Sequence, residues 1–364
     1  MRLTLNLTHA CNLACPYCFA GEARRESMPS GVGRAAIDRA VERAAARPGE
    51  RLDVSFMGGE PLLAFDRLVE LAGYARSTGQ SAGVDVTLQT TTNGTLLDRA
   101  RLEALAGFGV DLAISIDGEP EVHDRTRVTR TGAGTGEAVW RALDRAVERL
   151  GSVSVVCVIV PETVDRLSDT VRALAARGVH RIMLNPAWAR AWSGADRDRW
   201  RRSYTETAGV YADAYRRGAP FGLNIFDEKI DLRIRGAERA SFGCGFDPDE
   251  VAVSPSGRIF GCGRAVGEDL APVPACDAPA LEPEECGACV HRDRCASRCA
   301  CTNRESSGDP RVPGELVCWH ERMLIPIADG VAAGLFAERT PAFLKRFYGL
   351  EMEEAYATRT CHTL

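Results

Sequence analysis

Fourteen cysteines dominate this sequence, and they fall into two tight groups. Three lie between Cys11 and Cys18 and nine between Cys244 and Cys318, while Cys157 sits alone in an apolar run and Cys361 near the end. Disulfides would account for such a chain if it were small and secreted. It has 364 residues, and Met1 to Cys18 carries one arginine and no long apolar run of the kind a signal peptide needs. Nor does any stretch approach the ~20 apolar residues of a membrane span. A cytoplasmic location with reduced thiols is therefore expected, which leaves metal or cluster ligation as the reason for the grouping. Cys157 reads as a buried core thiol and Cys361 as incidental. The net charge of −5, with basic and acidic residues interspersed, gives no electrostatic case for nucleic acid or a membrane surface.

Between the two groups the pattern alternates. Runs rich in β-branched or alternating apolar residues predict strands at Leu3–Leu7, Asp53–Phe56, Val84–Thr90, Asp111–Ile116, Val153–Val160 and Arg181–Leu184. Helical periodicity fills the intervals at Val32–Ala46, Leu62–Arg76, Leu97–Phe108, Thr135–Leu150 and Thr163–Arg177. Such alternation means parallel pairing with right-handed crossovers, an α/β fold. The pattern alone leaves a partial barrel and an open doubly wound sheet as alternatives. In a barrel, chemistry sits at the C-terminal strand ends, and each motif below follows a predicted strand. Asp196–Arg217 reads as a connecting helix with a solvated face, or else as a substrate lid carrying Trp192, Trp200 and Tyr204. After Cys244 glycine, proline and cysteine replace periodic apolar residues, placing a domain boundary near residue 235.

The segment Cys11-Asn-Leu-Ala-Cys15-Pro-Tyr-Cys18 has the spacing CX3CX2C. Three thiolates are one short of the four a cubane cluster takes, which leaves one iron open; a structural zinc loop is the alternative. The segment closely resembles the signature of the radical S-adenosylmethionine (SAM) superfamily. That resemblance implies a partial (β/α)6 TIM-like barrel and a [4Fe-4S] cluster on Cys11, Cys15 and Cys18. The open iron would chelate the methionyl group of SAM, and reductive cleavage would release a 5′-deoxyadenosyl radical. Tyr17 would lie against the adenine. Gly58-Gly59-Glu60-Pro61 resembles the family's GGEP turn, which binds the cofactor's amino group, though a plain strand-to-helix turn has the same composition. Asn93, Ser115, Asp117 and Arg127 match segments lining the ribose and carboxylate, with Asp117 reading equally as a turn residue before Gly118. Ile182 and Leu184 would pack on the adenine or simply in the core.

The later cysteines fit a second pattern. Cys244 is followed after twelve residues by Gly257 and after four more by Cys262; then come Cys286-X2-Cys289-X5-Cys295-X3-Cys299 and finally Cys318. This resembles, cysteine for cysteine, the SPASM extension of radical SAM enzymes, which holds two auxiliary [4Fe-4S] clusters. By that resemblance Cys286, Cys289, Cys295 and Cys318 ligate one cluster, and Cys244, Cys262 and Cys299 the other. Cys301, Cys276 and an open iron are the alternatives for the remaining position, and zinc is the alternative metal. The implied organisation is a barrel over 1–187, a connecting helical region over 188–235, the cysteine-ligated SPASM domain over 236–325 and a helical tail over 326–364.

The resemblance also implies a reaction. Three clusters and SAM, fed by a flavodoxin- or ferredoxin-type donor, would oxidise a ribosomal precursor peptide and install a crosslink. Sulfatase-type formylglycine formation and dehydrogenation of a small molecule are the alternatives, as is a noncatalytic electron-transfer or zinc protein. Sulfatase maturases generally carry Asp after the cysteine equivalent to Cys262, where this chain has Gly263. The cluster motif starts at residue 11, so an N-terminal recognition domain is not expected, and the peptide would be recognised by a separate leader-recognition protein, by the barrel mouth or without a leader. No general base stands out; Asp247, Glu250 and Glu268 merely neighbour the auxiliary loops.

Overall fold

The computed structural model describes residues 1–20, 25–236, 249–268, 284–296 and 299–350; Cys244, Asp247, Cys276 and Cys361 lie outside them. Among the described residues nine strands form a single sheet: β1 (Arg2–Asn6), β2 (Leu52–Met57), β3 (Val86–Thr92), β4 (Val110–Ser115), β5 (Ser154–Ile159), β6 (Arg181–Pro186), β7 (Gly222–Leu223), β8 (Glu250–Val253) and β9 (Ile259–Phe260). Their order is β7-β6-β5-β4-β3-β2-β1-β8-β9, with every pair parallel except β8–β9. Helices α1 (Ser30–Ala45), α2 (Phe65–Ala82), α3 (Arg99–Gly107), α4 (Pro120–His123), α5 (Gly136–Leu150) and α6 (Leu167–Ala176) make the crossovers. All six predicted strands are present as the consecutive strands of a (β/α)6 unit.

Alternation along each strand divides the sheet into two unlike faces. Leu3, Leu5, Val54, Phe56, Leu88, Ile114, Val155, Cys157, Ile182 and Leu184 are buried in the core that the helices cover. Ile182 and Leu184 therefore take the core role. Between these residues, in partly open positions, stand Thr4, Ser55, Thr91, Met183 and, fully open, Gln89 and Asn185. A parallel sheet buried on both faces would carry near-continuous apolar runs. Here the second face is partly open and carries many polar residues.

Two boundaries moved for local reasons. The α2 helix runs on to Ala82 because nothing breaks it before Gly83, and Val84 N–H then closes its last turn on Gly79 O at 2.9 Å. The strand after it consequently starts at Val86 and delivers Asn93 to its C-terminal end. At the other end, Pro61–Ala64 forms a separate short turn capped by the Glu60 side chain, so α2 begins at Phe65.

The remaining helices are α7 (Gly194–Arg216), α8 (Asn224–Arg235), α9 (Glu284–Gly287), α10 (Ala300–Ser307), α11 (Glu315–Ala337) and α12 (Pro341–Tyr348). A capping box between Ser193 and Asp196 starts α7. Its inner face carries Trp200, Tyr204, Tyr211 and Tyr215, all buried. Trp192 stacks on Trp200 at 4.1 Å, and Tyr204 Oη meets His320 Nε2 at 3.1 Å. This aromatic layer packs α7 onto α11 and overturns the lid reading: none of the three residues is open to a substrate. Two features beyond residue 235 were not foreseen. β8 pairs with β1 in the barrel sheet, and α11 continues for 23 residues through Pro326. No helix among the described residues is long and apolar enough to cross a membrane.

Candidate functional site

The loops after β1, β2, β3 and β4 meet at the C-terminal edge of the sheet. The first cysteine loop leaves β1 and is held by main-chain bonds on two sides. Gly59 N–H donates to Thr8 O and Glu60 N–H to Ala10 O, both at 2.8 Å. On the far side Ala14 N–H donates to Val128 O at 2.9 Å. A Cβ on Gly59 would stand 2.4 Å from Ala10 O, so only glycine permits this approach. The two glycines admit the backbone of the cysteine loop at close range.

Glu60 is almost fully buried and its carboxylate is busy. Oε1 accepts from Leu62 N–H at 2.9 Å and from Thr92 Oγ1 at 2.7 Å, while Oε2 accepts from Asn93 N–H at 2.7 Å. Burial pushes its carboxyl up against these three donors. Glu60 thus ties the end of β2 to the end of β3. The Asn93 amide continues the connection, donating to Asn12 Oδ1 at 2.8 Å, bonding the Cys11 thiol, and accepting from Thr95. Asn12 in turn donates to Thr95 Oγ1 at 2.8 Å. Asn12 is a residue the sequence reading passed over, although it stands inside the CX3C spacing.

Asp117 is the second hub. One oxygen accepts from Val158 N–H at 2.9 Å and faces Arg127 Nε at 3.0 Å; the other accepts from Thr126 Oγ1 at 3.0 Å and from the Tyr17 hydroxyl. The Arg127 guanidinium also lies 5.5 Å from the centre of the Tyr17 ring. Burial and the Asp117 charge keep Tyr17 protonated, while Asp117 holds the Arg127 charge in place against burial. So the turn-residue reading of Asp117 falls short: it binds four segments together and sets Tyr17 and Arg127 side by side. Ser115, two residues earlier, is buried at the end of β4. His123 belongs to the same scaffold. Its Nε2 meets Thr135 Oγ1, whose proton goes to Arg127 O, so Nε2 is the donor and Nδ1 accepts from Asp117 N–H at 3.4 Å. Burial lowers it to about 4, leaving it neutral.

Cys11 and Cys15 are partly buried within this frame, Cys18 is exposed, and all three are free thiols within electrostatic reach of one another. Burial pushes both inner thiols up, Cys15 to about 11 despite Arg127, so the protein alone does not hold them as thiolates. A metal does so outright. Among the described residues no three His, Cys, Asp or Glu side chains converge as a metal cage as they stand. The loop presents three free thiols as its candidate donor set.

The second array approaches the first. Cys262 follows the β8–β9 hairpin, whose turn uses Gly257 at φ +86°, a left-handed conformation that explains the glycine of the spacing motif. Cys262 and Cys301 share a thiol–thiol hydrogen bond that pulls the Cys262 thiol down and pushes Cys301 up, with Cys299 close by. Arg264 reaches in both directions, its Nη2 donating to both carboxylate oxygens of Glu305 on α10 at 2.6 and 2.7 Å and its guanidinium 5.6 Å from the ring centre of Phe19, beside Cys18. Cys286, Cys289 and Cys295 lie on one run of tight turns, and Cys318 sits in the first turn of α11.

Residues 5–174 match the family described as the Radical SAM superfamily. That stretch is a radical SAM domain. Enzymes of the radical SAM superfamily use SAM together with a [4Fe-4S] cluster, and the donor set after β1 fits such a cluster. Among known proteins, this radical SAM chain is 29% identical over 328 residues to mycofactocin maturase MftC of Mycobacterium ulcerans, covering 82% of each. It is 25% identical to PqqA peptide cyclase of Gluconobacter oxydans, over 85% of this chain and 88% of that one. The serine-type anaerobic sulfatase-maturating enzyme of Klebsiella aerogenes is 23% identical over 71% of this chain, which spans 65% of that enzyme's length. In fold, the chain is similar to anSMEcpe with bound AdoMet and Cp18Cys peptide (TM-score 0.71, 18% identity, 91% of this chain and 99% of that chain). It is also similar to Streptococcus suis SuiB bound to its precursor peptide SuiA (TM-score 0.58, 15% identity, 87% and 75%).

Proposed function

We propose that this enzyme oxidises a ribosomally made precursor peptide and installs a crosslink within it, in the cytoplasm. The observation that carries this reading is the alignment with two enzymes named as a peptide cyclase and a mycofactocin maturase, each over more than four-fifths of both chains. Cys11, Cys15 and Cys18 would hold the catalytic cluster at the barrel mouth. When bound there, cluster and SAM would supply the radical chemistry needed to abstract hydrogen from an unactivated carbon. Tyr17, fixed by Asp117, would back the adenine. Gly58, Gly59 and Glu60 would shape the amino-group side through backbone atoms, since the Glu60 carboxylate already serves three donors. Asn93, Ser115 and Arg127 would line the remaining wall.

The SPASM region of residues 236–325 would carry two auxiliary clusters, one on Cys286, Cys289, Cys295 and Cys318 and one on Cys244, Cys262 and Cys299. Crosslinking releases a second electron and a proton from the substrate, and auxiliary clusters held by these cysteines would supply an exit for the electron. A flavodoxin- or ferredoxin-type donor and a separate leader-recognition protein complete the proposed partners.

Formylglycine formation on a sulfatase is the second reading, favoured by the sulfatase-maturating relative. Position 263 speaks against it. A Cβ there would stand 3.2 Å from Thr4 Cγ2, so the Asp generally found in those enzymes needs Thr4 to shift. Anaerobically reconstituted protein should be given SAM, reductant and the peptides encoded beside its gene, with products read by tandem mass spectrometry. A peptide that loses a pair of hydrogens and resists fragmentation between two residues supports the crosslink. A hydrazine-reactive aldehyde on a sulfatase peptide refutes it.

A further inference from the structure

Charge is distributed along the six barrel strands in one direction. The last four residues of β1 to β6 read Leu-Thr-Leu-Asn, Val-Ser-Phe-Met, Gln-Thr-Thr-Thr, Leu-Ala-Ile-Ser, Val-Cys-Val-Ile and Met-Leu-Asn-Pro, with no charged side chain among them. The charged residues of these strands, Arg2, Asp53, Asp111 and Arg181, all occupy a first or second position. By alternation each shares a face with Asn6, Met57, Ser115 or Asn185 on its own strand, and stands four residues, about 13 Å, nearer the N-terminal end. Barrel chemistry sits at the opposite, C-terminal end. There Met57, Thr91 and Val158 are half-buried and Asn185 is exposed.

We propose that the peptide side chain that gives up its hydrogen at these strand ends is uncharged: an aliphatic, aromatic, hydroxyl or amide residue rather than Asp, Glu, Lys or Arg. This inference rests on the peptide reading and narrows its substrate. The loops do not supply the counter-charge that the strands lack. The Glu60 carboxylate serves three donors, and Asp117 and Arg127 neutralise each other at 3.0 Å. Burial leaves His123 neutral, and Arg264 is spent on Glu305. Glu228 on α8 has Lys229, Glu321, Arg181 and Asp227 as its electrostatic neighbours, which ties it to the charged end of β6 and to α11. Among the described residues, each of these charged groups is thus committed within the protein. A hydroxyl or amide can still hydrogen-bond to Thr91 or Asn185. A charged side chain would be desolvated without a partner, and an uncompensated buried charge weakens binding at least about a hundredfold.

The test follows hydrogen out of the peptide, using the intact, anaerobically reconstituted protein. Peptides encoded beside its gene are synthesised with one residue at a time deuterated at carbon and incubated with SAM and dithionite. Mass spectrometry of the 5′-deoxyadenosine then shows which C–D bond was broken. Deuterium should arrive from an uncharged residue. Deuterium from Asp, Glu, Lys or Arg overturns the inference and upholds the peptide reading. No transfer from any peptide ends the peptide reading, and this inference with it. In a second measurement, peptides carrying Gln or Glu at the donor position compete with the parent peptide. The inhibition constant of the Glu peptide should be at least about a hundredfold higher than that of the isosteric Gln peptide. Constants within about threefold of each other also overturn the inference.

Discussion

Replacing Lys229 by Met strands a charge in the layer that α8 and α11 form behind the barrel. The Lys229 and Glu321 side chains are 2% and 4% exposed and 2.6 Å apart. Lys229 also donates to Arg294 O at 2.9 Å, and Glu321 accepts from Ala296 N–H at 3.1 Å, so the pair grips the chain on both sides of Cys295. Burial alone would push the Glu321 carboxyl up. His320 and Lys229 instead hold it at about 2, against an ordinary 4.5. A depression of that size corresponds to about 3 kcal/mol of stability at neutral pH. Its sign is that of a lowered carboxyl: the stabilisation is complete above pH 4.5 and is lost as pH falls through about 2. Lys229→Met leaves the carboxylate buried with His320 and one amide, and removing one partner of a buried pair costs about 3–5 kcal/mol. With an unfolding entropy of about 2.1 cal/mol/K per residue, 3 kcal/mol lowers Tm by about 4 °C for a chain this long. Anaerobic scanning calorimetry at pH 7 reads the shift. Lys229→Met/Glu321→Leu removes both charges and should recover at least half of the loss. A single variant within about 1 °C of the parent, or a double variant worse than the single, refutes the reasoning.

Three further outcomes are expected. Gly59→Ala drives a methyl into Ala10 O and displaces the first cysteine loop, so reconstituted iron should drop from about twelve to about eight per chain while the C-terminal array stays loaded. Tyr17→Phe removes one of the four groups on Asp117 and should cost about 2 kcal/mol, read as a fall of about 3 °C in Tm with iron content unchanged. Cys157→Ala should lower stability by about 1–2 kcal/mol without touching the iron count, and loss of a cluster would show that this core thiol is a ligand.

The parts of the site legible in the sequence were those that follow chemical spacing. CX3CX2C, GGEP and the glycine before Cys262 all landed at strand ends or in a turn whose geometry explains them. Hydrophobic alternation likewise located all six strands to within two residues. What the pattern could not carry was pairing between distant segments. Asn12 gives no signal of its own, because its role exists only once the β1 and β3 loops are adjacent. The role of Asp117 depends on Tyr17, Thr126 and Val158 arriving from three places. The α7 helix looked solvated because arginines and aspartates outnumber its aromatics, yet those aromatics recur along one face and find α11 more than a hundred residues later. β8 is a four-residue strand among loops, too short for periodicity to reveal.

The pairing of β8 with β1 has a consequence for how the molecule is made. Arg2 stands opposite Glu250, a separation of 248 residues (250 − 2). β1 leaves the ribosome well before β8, so one of its edges has no partner until 248 further residues have been synthesised. At translation rates of about 5–20 residues per second, that edge is open for more than ten seconds. An unpaired strand edge templates association with other chains. The strand that leads into Cys11 is therefore made early and closed late. Slow growth temperature, limited chaperone supply or truncation before residue 250 should all appear first as aggregation through β1, upstream of any defect in iron loading.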